Sequence, residues 1–550
     1  MEATSSTPGS ASAARIGAEL DRAKHAGAIP AASIWDALTW AAETHGERDA
    51  LIAGGNRVSY ESLRRAAAAT AAQLRAEGVE AGAHVALLGT NTFDWLAAFL
   101  GIVAAGAVCV PLNARLTDAE LIAALAAADV THFVLRPAYR RRSHDSLVEQ
   151  VLAAGMVSRD RLWTIDERLA SIPHAIPPRD AWDAQHELEA PDPASVAVIL
   201  FTSGSTAAAK GCLLTHQGIV RNACLHGERL RIVADDIWFS PMPFFHAGGL
   251  VWGIGTCLVT GAALAVQEVF DAGECLELVD EIRPTYFHGV DTMFTRLLDH
   301  PRFRRETFRT VTRATTIGPP ELLRRIHDEM GIDGIESKWG LSEGYGNLTL
   351  CSPDDPLDRR LESVGAVFPG IEYAVADPVT GEHLAVGSVG EVLIRGCAME
   401  GYYKDEAATR AMIDEDGWIH TGDIGRFDEG YLYFLGRSKN MLKVGGENVS
   451  PLEIEETLQA HPDVDAAYVV GVQDLVHGQV PVAAVVATRG RELDLEEIRA
   501  YCRGQLAPFK VPARFVEFAL DELPLTGSGK ISKPDLQPLV TQALEAGRDA

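Results

Sequence analysis

A chain of 550 residues is longer than one hydrophobic core usually serves, so a large domain with at least one smaller companion is expected. With 47% apolar residues the composition is globular, and a formal charge of −27 at pH 7 opposes any general nucleic-acid or anionic-membrane surface. An anionic ligand must therefore meet a local basic site.

Residues 1–30, opening MEATSSTPGSASAAR, hold no long apolar run of the secretory kind and read as a loosely ordered lead-in. Short apolar runs then alternate with helical patterns: HVALLG at 84–89, TFDWLAAFLGIVAAG at 92–106, VCVPLN at 108–113, TDAELIAALAAA at 117–128 and THFVLR at 131–136. Such alternation predicts crossover units and an α/β fold of largely parallel sheets covered by helices. Two apolar stretches, 96–112 and 248–266, are broken by glycines or a proline, and each reads as a buried helix followed by a strand, without an integral membrane segment.

The strand-like SVAVILF leads into FTSGSTAAAK, residues 201–210. Crowded small hydroxyl and glycine residues in front of one lysine suit the oxygens of a phosphate chain, since they offer N–H and O–H donors without side-chain obstruction. The G-x-x-x-x-G-K-[ST] pattern does not fit, because Ala209 and Gly211 flank Lys210. Ligands of doubly wound sheets sit outside the carboxyl ends of strands, which is where residues 202–210 fall.

Further along come PFFHAGG (243–249), the strand-like TYFHGVDTMF (285–294), IGPP (317–320), KWGLSEG (338–344) and GWIHTGDIG (417–425). Glu343 could serve Mg²⁺, which takes one or two protein carboxylates beside phosphate oxygens and waters. Asp423, an acceptor-only carboxylate near glycines, suits a vicinal diol such as ribose. Past residue 436 the organisation changes. GRSKNMLKVGGENVSP gathers Arg437, Lys439 and Lys443 around a glycine pair at a domain border, and Ser450-Pro451-Leu452-Glu453 reads as a capping box opening a helix that stops near His461-Pro462. DAAYVVGV, PVAAVVATR and ARFVEFA read as strands and LDLEEIRAYCRGQL as a helix, a compact unit of roughly a hundred residues. LPLTGSGKIS (523–532) sets Lys530 on a second glycine-rich loop. The eight cysteines are scattered with no C-x-x-C pair, and no histidines cluster at metal spacing, which favours a reducing, cytoplasmic setting without structural zinc.

Taken singly, a Glu or Asp in a polar loop is more often a solvated or capping group than a ligand. It is the joint order of these motifs that resembles the adenylate-forming superfamily: acyl- and aryl-CoA synthetases, firefly luciferase and peptide-synthetase adenylation domains. The resemblance runs from about residue 35 to 540. FTSGSTAAAKG is similar to the family's phosphate loop, which implies nucleotide contacts for Thr202, Ser203, Gly204, Ser205, Thr206 and Lys210. Ala207 and Ala209 replace the loop's usual glycine and proline, so its backbone mobility is altered. PFFHAGG resembles the segment bordering the acyl pocket, with Phe245 and His246, and Gly289 and Val290 complete that lining. Gly318 and Pro319 match the turn against adenine, Trp339 the adenine-stacking ring, Gly340 and Leu341 the backbone beside it, Ser342 an α-phosphate contact and Glu343 the magnesium ligand. Asp423 matches the ribose-binding motif, and Arg437 the arginine that opens the small domain.

The resemblance implies a large domain over 31–436 and a small mobile domain over 437–550, hinged near Lys439. It implies attack of a small-molecule carboxylate on the ATP α-phosphorus to give acyl-AMP and pyrophosphate, with Mg²⁺ as cofactor and free CoA as the acceptor. Lys530 would lie between the two anions, an electrostatic contribution to the transition state. Rotation about Lys439 would then bring in a CoA tunnel lined by Gly445 and Gly446, while Lys443 and Asn448 match positions that contact the adenylate. Other acceptors or acids stay open at this point, namely a carrier protein, an amine, or nitrite in a diazo-forming reaction. So does a non-catalytic nucleotide-binding regulatory protein that kept the fold. A homodimer is a further expectation. The apolar pocket lining suits an aryl or medium-chain acid better than an amino acid.

Overall fold

In the computed structural model of the chain the described residues are 33–165, 188–202, 210–444, 447–474, 478–526 and 529–547, without the side chains of Lys439, Lys443, Glu447 and Asn448. The lead-in expected over residues 1–30 lies outside them.

The alternating runs form the units their periodicity predicts. Strands His84–Leu88, Val108–Leu112 and His132–Leu135 pair in parallel, with helices Phe93–Ala104 and Asp118–Ala127 as the crossovers. Thr117 and Glu120 close a reciprocal capping box at the second helix, each satisfying a backbone N–H that the helix leaves unpaired. Val196–Phe201 and Leu162–Thr164 extend this sheet, and Gly211–Thr215 closes one edge antiparallel. Strand His84–Leu88 shows the two-residue period: Val85 and Leu87 enter one core, Ala86 and Leu88 another beside Leu121 and Leu125.

A second sheet, of 13 strands among the described residues, has a parallel centre built from Asp49–Ala53, Ala263–Val266, Ile237–Ser240, Tyr286–His288, Arg313–Thr316 and Gly334–Leu341. From Gly334–Leu341 outward its neighbours run antiparallel, through Gly346–Leu350 to Tyr431–Arg437 and Trp418–Asp428. Helices Ile34–His45, Tyr60–Ala76, Phe93–Ala104 and His216–Arg229 share one buried core with Val85 and Leu87 of the first sheet and Leu264 and Val266 of the second. Both stretches read as buried helix plus strand are that: Phe93–Ala104 with Val108–Leu112, and the helical Gly248–Thr260 with Ala263–Val266. Among the described residues no helix is long and apolar enough to cross a membrane.

One expectation fails. TYFHGVDTMF is a strand only over Tyr286–His288, and after Gly289 and Val290 the chain forms the helix Asp291–Leu298. Val290, Phe294, Leu297 and Leu298 are all buried, a spacing of four, seven and eight that belongs to a helix face and follows directly on the strand.

After Tyr431–Arg437 the chain leaves the large sheet, and from Leu442 it builds a smaller one, of five strands among the described residues. Ala467 and Val469 of strand Val464–Asp474 face helices Pro451–Gln459 and Leu495–Gln505, while Ala466 and Val470 face helix Lys533–Glu545. The predicted capping box is only half made. Ser450 Oγ accepts from Glu453 N, but the Glu453 carboxylate binds Lys510 Nζ at 2.6 and 2.7 Å, since an ammonium is a stronger partner than a backbone N–H.

Candidate active site

The candidate side chains stand largely at strand ends, and Asp423 is within electrostatic reach of Arg437, Lys530 and Glu343. Thr202 N donates to Lys210 O at 3.0 Å, which joins the two stems of the segment expected to bind phosphate. Ser203, Gly204, Ser205 and Thr206 lie between them, outside the described residues. Lys210 Nζ stands 5.0 Å from the centre of the Tyr402 ring, a cation–π distance, and the Tyr402 hydroxyl donates to Glu343 Oε1 at 2.6 Å. Burial, and after it the Glu343 charge, pushes the Tyr402 hydroxyl up, so it stays a protonated donor that orients the carboxylate. Glu343 itself sits on the turn Ser342–Gly344 that ends strand Gly334–Leu341, and Tyr345 N closes the turn onto Ser342 O at 3.0 Å.

Asp423 lies opposite Arg437 in the antiparallel pair Trp418–Asp428 and Tyr431–Arg437. Arg437 Nε is 3.0 Å from Asp423 Oδ1, and the Trp339 indole N–H donates to Oδ2 at 2.8 Å. Burial pushes the Asp423 carboxyl up, while Arg437 and Trp339 pull it back. Trp339, expected as the adenine-stacking ring, is 5% exposed and anchored by that edge contact. Gly318 and Pro319 lead into helix Pro320–Arg325 and line a cavity of about 500 Å³ together with Asp291, Ser337, Glu455 and Lys530.

Lys530 reaches this cleft from the smaller unit. Residues Leu525 and Ile531 bridge, Lys530 N donates to Thr526 Oγ1 at 3.1 Å, and Gly529 takes φ +91°, a left-handed setting open to glycine. The Thr292 hydroxyl donates to Gly529 O, docking the loop on the first turn of helix Asp291–Leu298. Burial lowers the Lys530 ammonium, and the carboxylates Asp291 and Asp423 hold it up, against Arg437.

Of the acyl-pocket candidates, Val290 is buried against Met242 and Met293, and Gly289 N donates to Thr315 O at 3.3 Å. Phe245 and His246 are partly exposed. His246 Nδ1 accepts from Gly248 N, and burial, then the charges of Lys530 and Lys338, push its pKa down to about 4, so the imidazole is neutral near pH 7. Gly340 and Leu341 end their strand opposite Asn347 and Gly346. Lys443 and Asn448 face each other in a two-strand hairpin of the smaller sheet, with their side chains outside the described residues, as are Gly445 and Gly446. Lys439 lies in the short helical turn Ser438–Asn440, its side chain likewise outside.

The residues that sequence reasoning missed are Tyr402, Asp291 and Thr292. Tyr402 stands in GYYKDE with no motif spacing, and the other two were hidden inside a segment taken for a strand. An aspartate and a threonine just after a glycine, opening an i, i+4 apolar pattern, were the available signal.

Residues 38–403 match the AMP-binding enzyme family, and residues 453–530 match the AMP-binding enzyme C-terminal domain. The chain is 38% identical over 507 residues to 3-[(3aS,4S,7aS)-7a-methyl-1,5-dioxo-octahydro-1H-inden-4-yl]propanoyl:CoA ligase of Mycobacterium tuberculosis, covering 90% of this chain and 96% of the relative. It is 30% identical over 521 residues to the medium-chain acyl-CoA ligase ACSF2, mitochondrial, of Rattus norvegicus, covering 89% and 84%. Its fold is similar to the crystal structure of ATP-bound MatB from Rhodopseudomonas palustris, with a TM-score of 0.80, 27% identity, and coverage of 92% of this chain and 98% of that one.

Proposed function

The chain belongs to the AMP-binding enzyme family and is an AMP-forming acid–thiol ligase; we propose that it joins a medium-sized carboxylic acid to CoA through an acyl-AMP intermediate, with the residues named below. The observation that carries this reading is the delivery of Lys530 to the cleft, on a loop bound to Thr292 and within electrostatic reach of Asp423 and Asp291.

In the first half-reaction the acid attacks the ATP α-phosphorus. One carboxylate oxygen forms the new P–O bond, the bond to pyrophosphate breaks, and the electron pair leaves with pyrophosphate. Lys530 stands where the two anions meet, so its ammonium offsets a repulsion that is greatest at contact. Lys210, Thr202 and Ser342 bind the phosphates, with residues 203–206 completing the loop. Asp423 accepts from the ribose hydroxyls, Arg437 holds that carboxylate, and Trp339, Gly318 and Pro319 border the adenine. Glu343 fits a Mg²⁺ ion, because one protein carboxylate beside phosphate oxygens is a donor set this ion takes, and Tyr402 already orients it. The ion would neutralise charge on the leaving pyrophosphate.

In the second half-reaction the unit past residue 437 turns about Lys439, withdrawing Lys530 and presenting Lys443, Asn448 and the Gly445–Gly446 segment. The CoA sulfur then forms the thioester bond and AMP leaves. A neutral His246 beside Phe245, Gly289 and Val290 gives the acyl group a largely uncharged wall. We place the protein in a reducing compartment, the cytoplasm, on its eight free cysteines. The test is AMP release and ATP–pyrophosphate exchange over a panel of acids with and without CoA. Acid-dependent exchange with CoA-dependent AMP release is expected, whereas exchange followed by release only with an amine or a carrier protein would move the acceptor elsewhere.

A further inference from the structure

A buried polar patch takes no part in the chemistry above. It lies where helix His216–Arg229, the helical stretch Gly248–Thr260 and strands Gly334–Leu341 and Gly346–Leu350 meet. Asn222 Oδ1, His226 Nε2, Trp252 Nε1 and both amide atoms of Asn347 are buried with no hydrogen-bond partner among the described residues. Lys338 joins them at 1% exposure; its Nζ is hydrogen-bonded with His288 Nε2 at 2.7 Å and lies 3.9 Å from the centre of the Trp252 ring.

These groups are one cluster. Asn222 Nδ2 donates to Asn347 O at 2.7 Å, the rings of His226 and Trp252 stack with centres 6.2 Å apart, and a side chain at Gly346 would fall 2.4 Å from the Trp252 nitrogen. Leaving a buried donor or acceptor unpaired is destabilising, and folded proteins are only marginally stable, so five such atoms gathered beside Lys338 call for a partner. Burial first, then the charge of Lys530, pushes the Lys338 amine well below its ordinary pKa, and Glu336, on the same face of the strand, pulls the other way. An indole N–H only donates, and a lysine Nζ carries N–H donors in either protonation state, so an acceptor oxygen is the complement both can bind.

The cluster adjoins the acyl wall. His288 immediately precedes Gly289 and Val290, and His246 is within electrostatic reach of both Lys530 and Lys338. We propose that the acyl pocket ends in this patch, and that the preferred acid carries a second oxygen function, a ketone or a second carboxylate, bound by Lys338, Trp252 and Asn347. This rests on the carboxylate–CoA ligase reading.

The experiment compares CoA-dependent AMP release by the full chain for three matched acids at each of several chain lengths: a straight alkanoate, its terminal methyl ketone and its terminal dicarboxylate. An oxygenated acid should exceed the alkanoate in kcat/KM by at least about tenfold, because a site built to hydrogen-bond an oxygen discriminates strongly against its absence. The ketone and dicarboxylate arms tell the two oxygen sources apart. In Lys338→Met the ratio should fall to within about twofold of unity, mainly through KM, and Trp252→Phe, which keeps the ring and removes the N–H, should lower it in the same direction. Equal kcat/KM for the three acids in the wild type, or a preference that survives both substitutions, overturns the proposal and leaves the ligase reading standing. No AMP release with any acid overturns the ligase reading, and this proposal with it.

Discussion

Thr292 gives its hydroxyl hydrogen to the carbonyl of Gly529, tying the first turn of helix Asp291–Leu298 to the residue before Lys530. The tie is buried, with Thr292 4% exposed, and Lys530 N is held in turn by Thr526 Oγ1. The position of the ammonium is therefore set by backbone bonds at the base of its side chain rather than by an ion pair at its tip.

If that ammonium serves only the meeting of carboxylate and α-phosphate, Lys530→Ala should lose acid-dependent ATP–pyrophosphate exchange by at least about 10²-fold, the scale of removing one preorganised electrostatic donor. Thioester formation from supplied acyl-AMP and CoA should stay within a few-fold of wild type. Equal losses in the two assays would remove Lys530 from its separate role.

Thr292→Val keeps the shape of the side chain and deletes the hydroxyl donor. A neutral hydrogen bond contributes about 0.5–1.5 kcal/mol, so the exchange rate should fall roughly twofold to tenfold, with the acyl-AMP to thioester step unaffected. Gly529 O also loses its partner, which puts the expectation toward the upper end. An unchanged exchange rate would mean that the docked loop does not limit adenylation.

How these features stood in the sequence follows their physical origin. Alternating runs such as HVALLG and VCVPLN declared themselves because a strand inside crossover units is apolar throughout, and Asp423 and Lys530 stood out because a carboxylate or a lysine among glycines is a local pattern. Tyr402 and Thr292 were illegible because their roles exist only across the fold: Tyr402 meets Glu343 over 59 positions and Thr292 meets Gly529 over 237. The half-made capping box at Ser450 fails for the same reason, as Lys510 is 57 positions from Glu453. The Lys338 patch was invisible too, since a lysine before a tryptophan in KWGLSEG reads as a solvated side chain until its burial is known.

Docking of the smaller unit should weaken as pH rises. Asp465 of that unit bonds Arg325 at 2.6 Å, beside Asp299 and Glu329, which bind the same guanidinium. Burial first, then the neighbouring Asp299 carboxylate, pushes the Asp465 carboxyl from its ordinary 3.8 up to about 7, with Arg325 pulling the other way. A group whose pKa is higher docked than free favours docking below its free pKa and loses that contribution as pH climbs through the docked one. Docking, read by fluorescence transfer between the two units, should therefore decline between about pH 4 and 7. Asp465→Asn should flatten the curve over that range; a curve of the same slope in the variant would assign the pH dependence to other groups.

The link between the units is short: strand Tyr431–Arg437 ends the large sheet, Ser438–Asn440 makes one helical turn, and Leu442 begins the small sheet. Met441 N donates to Arg437 O and Ser438 O at 3.2 Å, so the turn is closed by its own backbone and leaves few torsions free to carry a rotation. Proline at 439 would fix φ there near −65°, a value the first turn of the helical stretch Ser438–Asn440 accepts, freezing one setting of the link. With Lys530 docked as described, the frozen setting is the one suited to adenylation. Lys439→Pro should accordingly retain ATP–pyrophosphate exchange within about threefold while CoA-dependent AMP release drops by at least about tenfold, a split that simple unfolding cannot produce because unfolding lowers both rates together. Wild-type CoA turnover in this variant would place the pivot at another residue of the link.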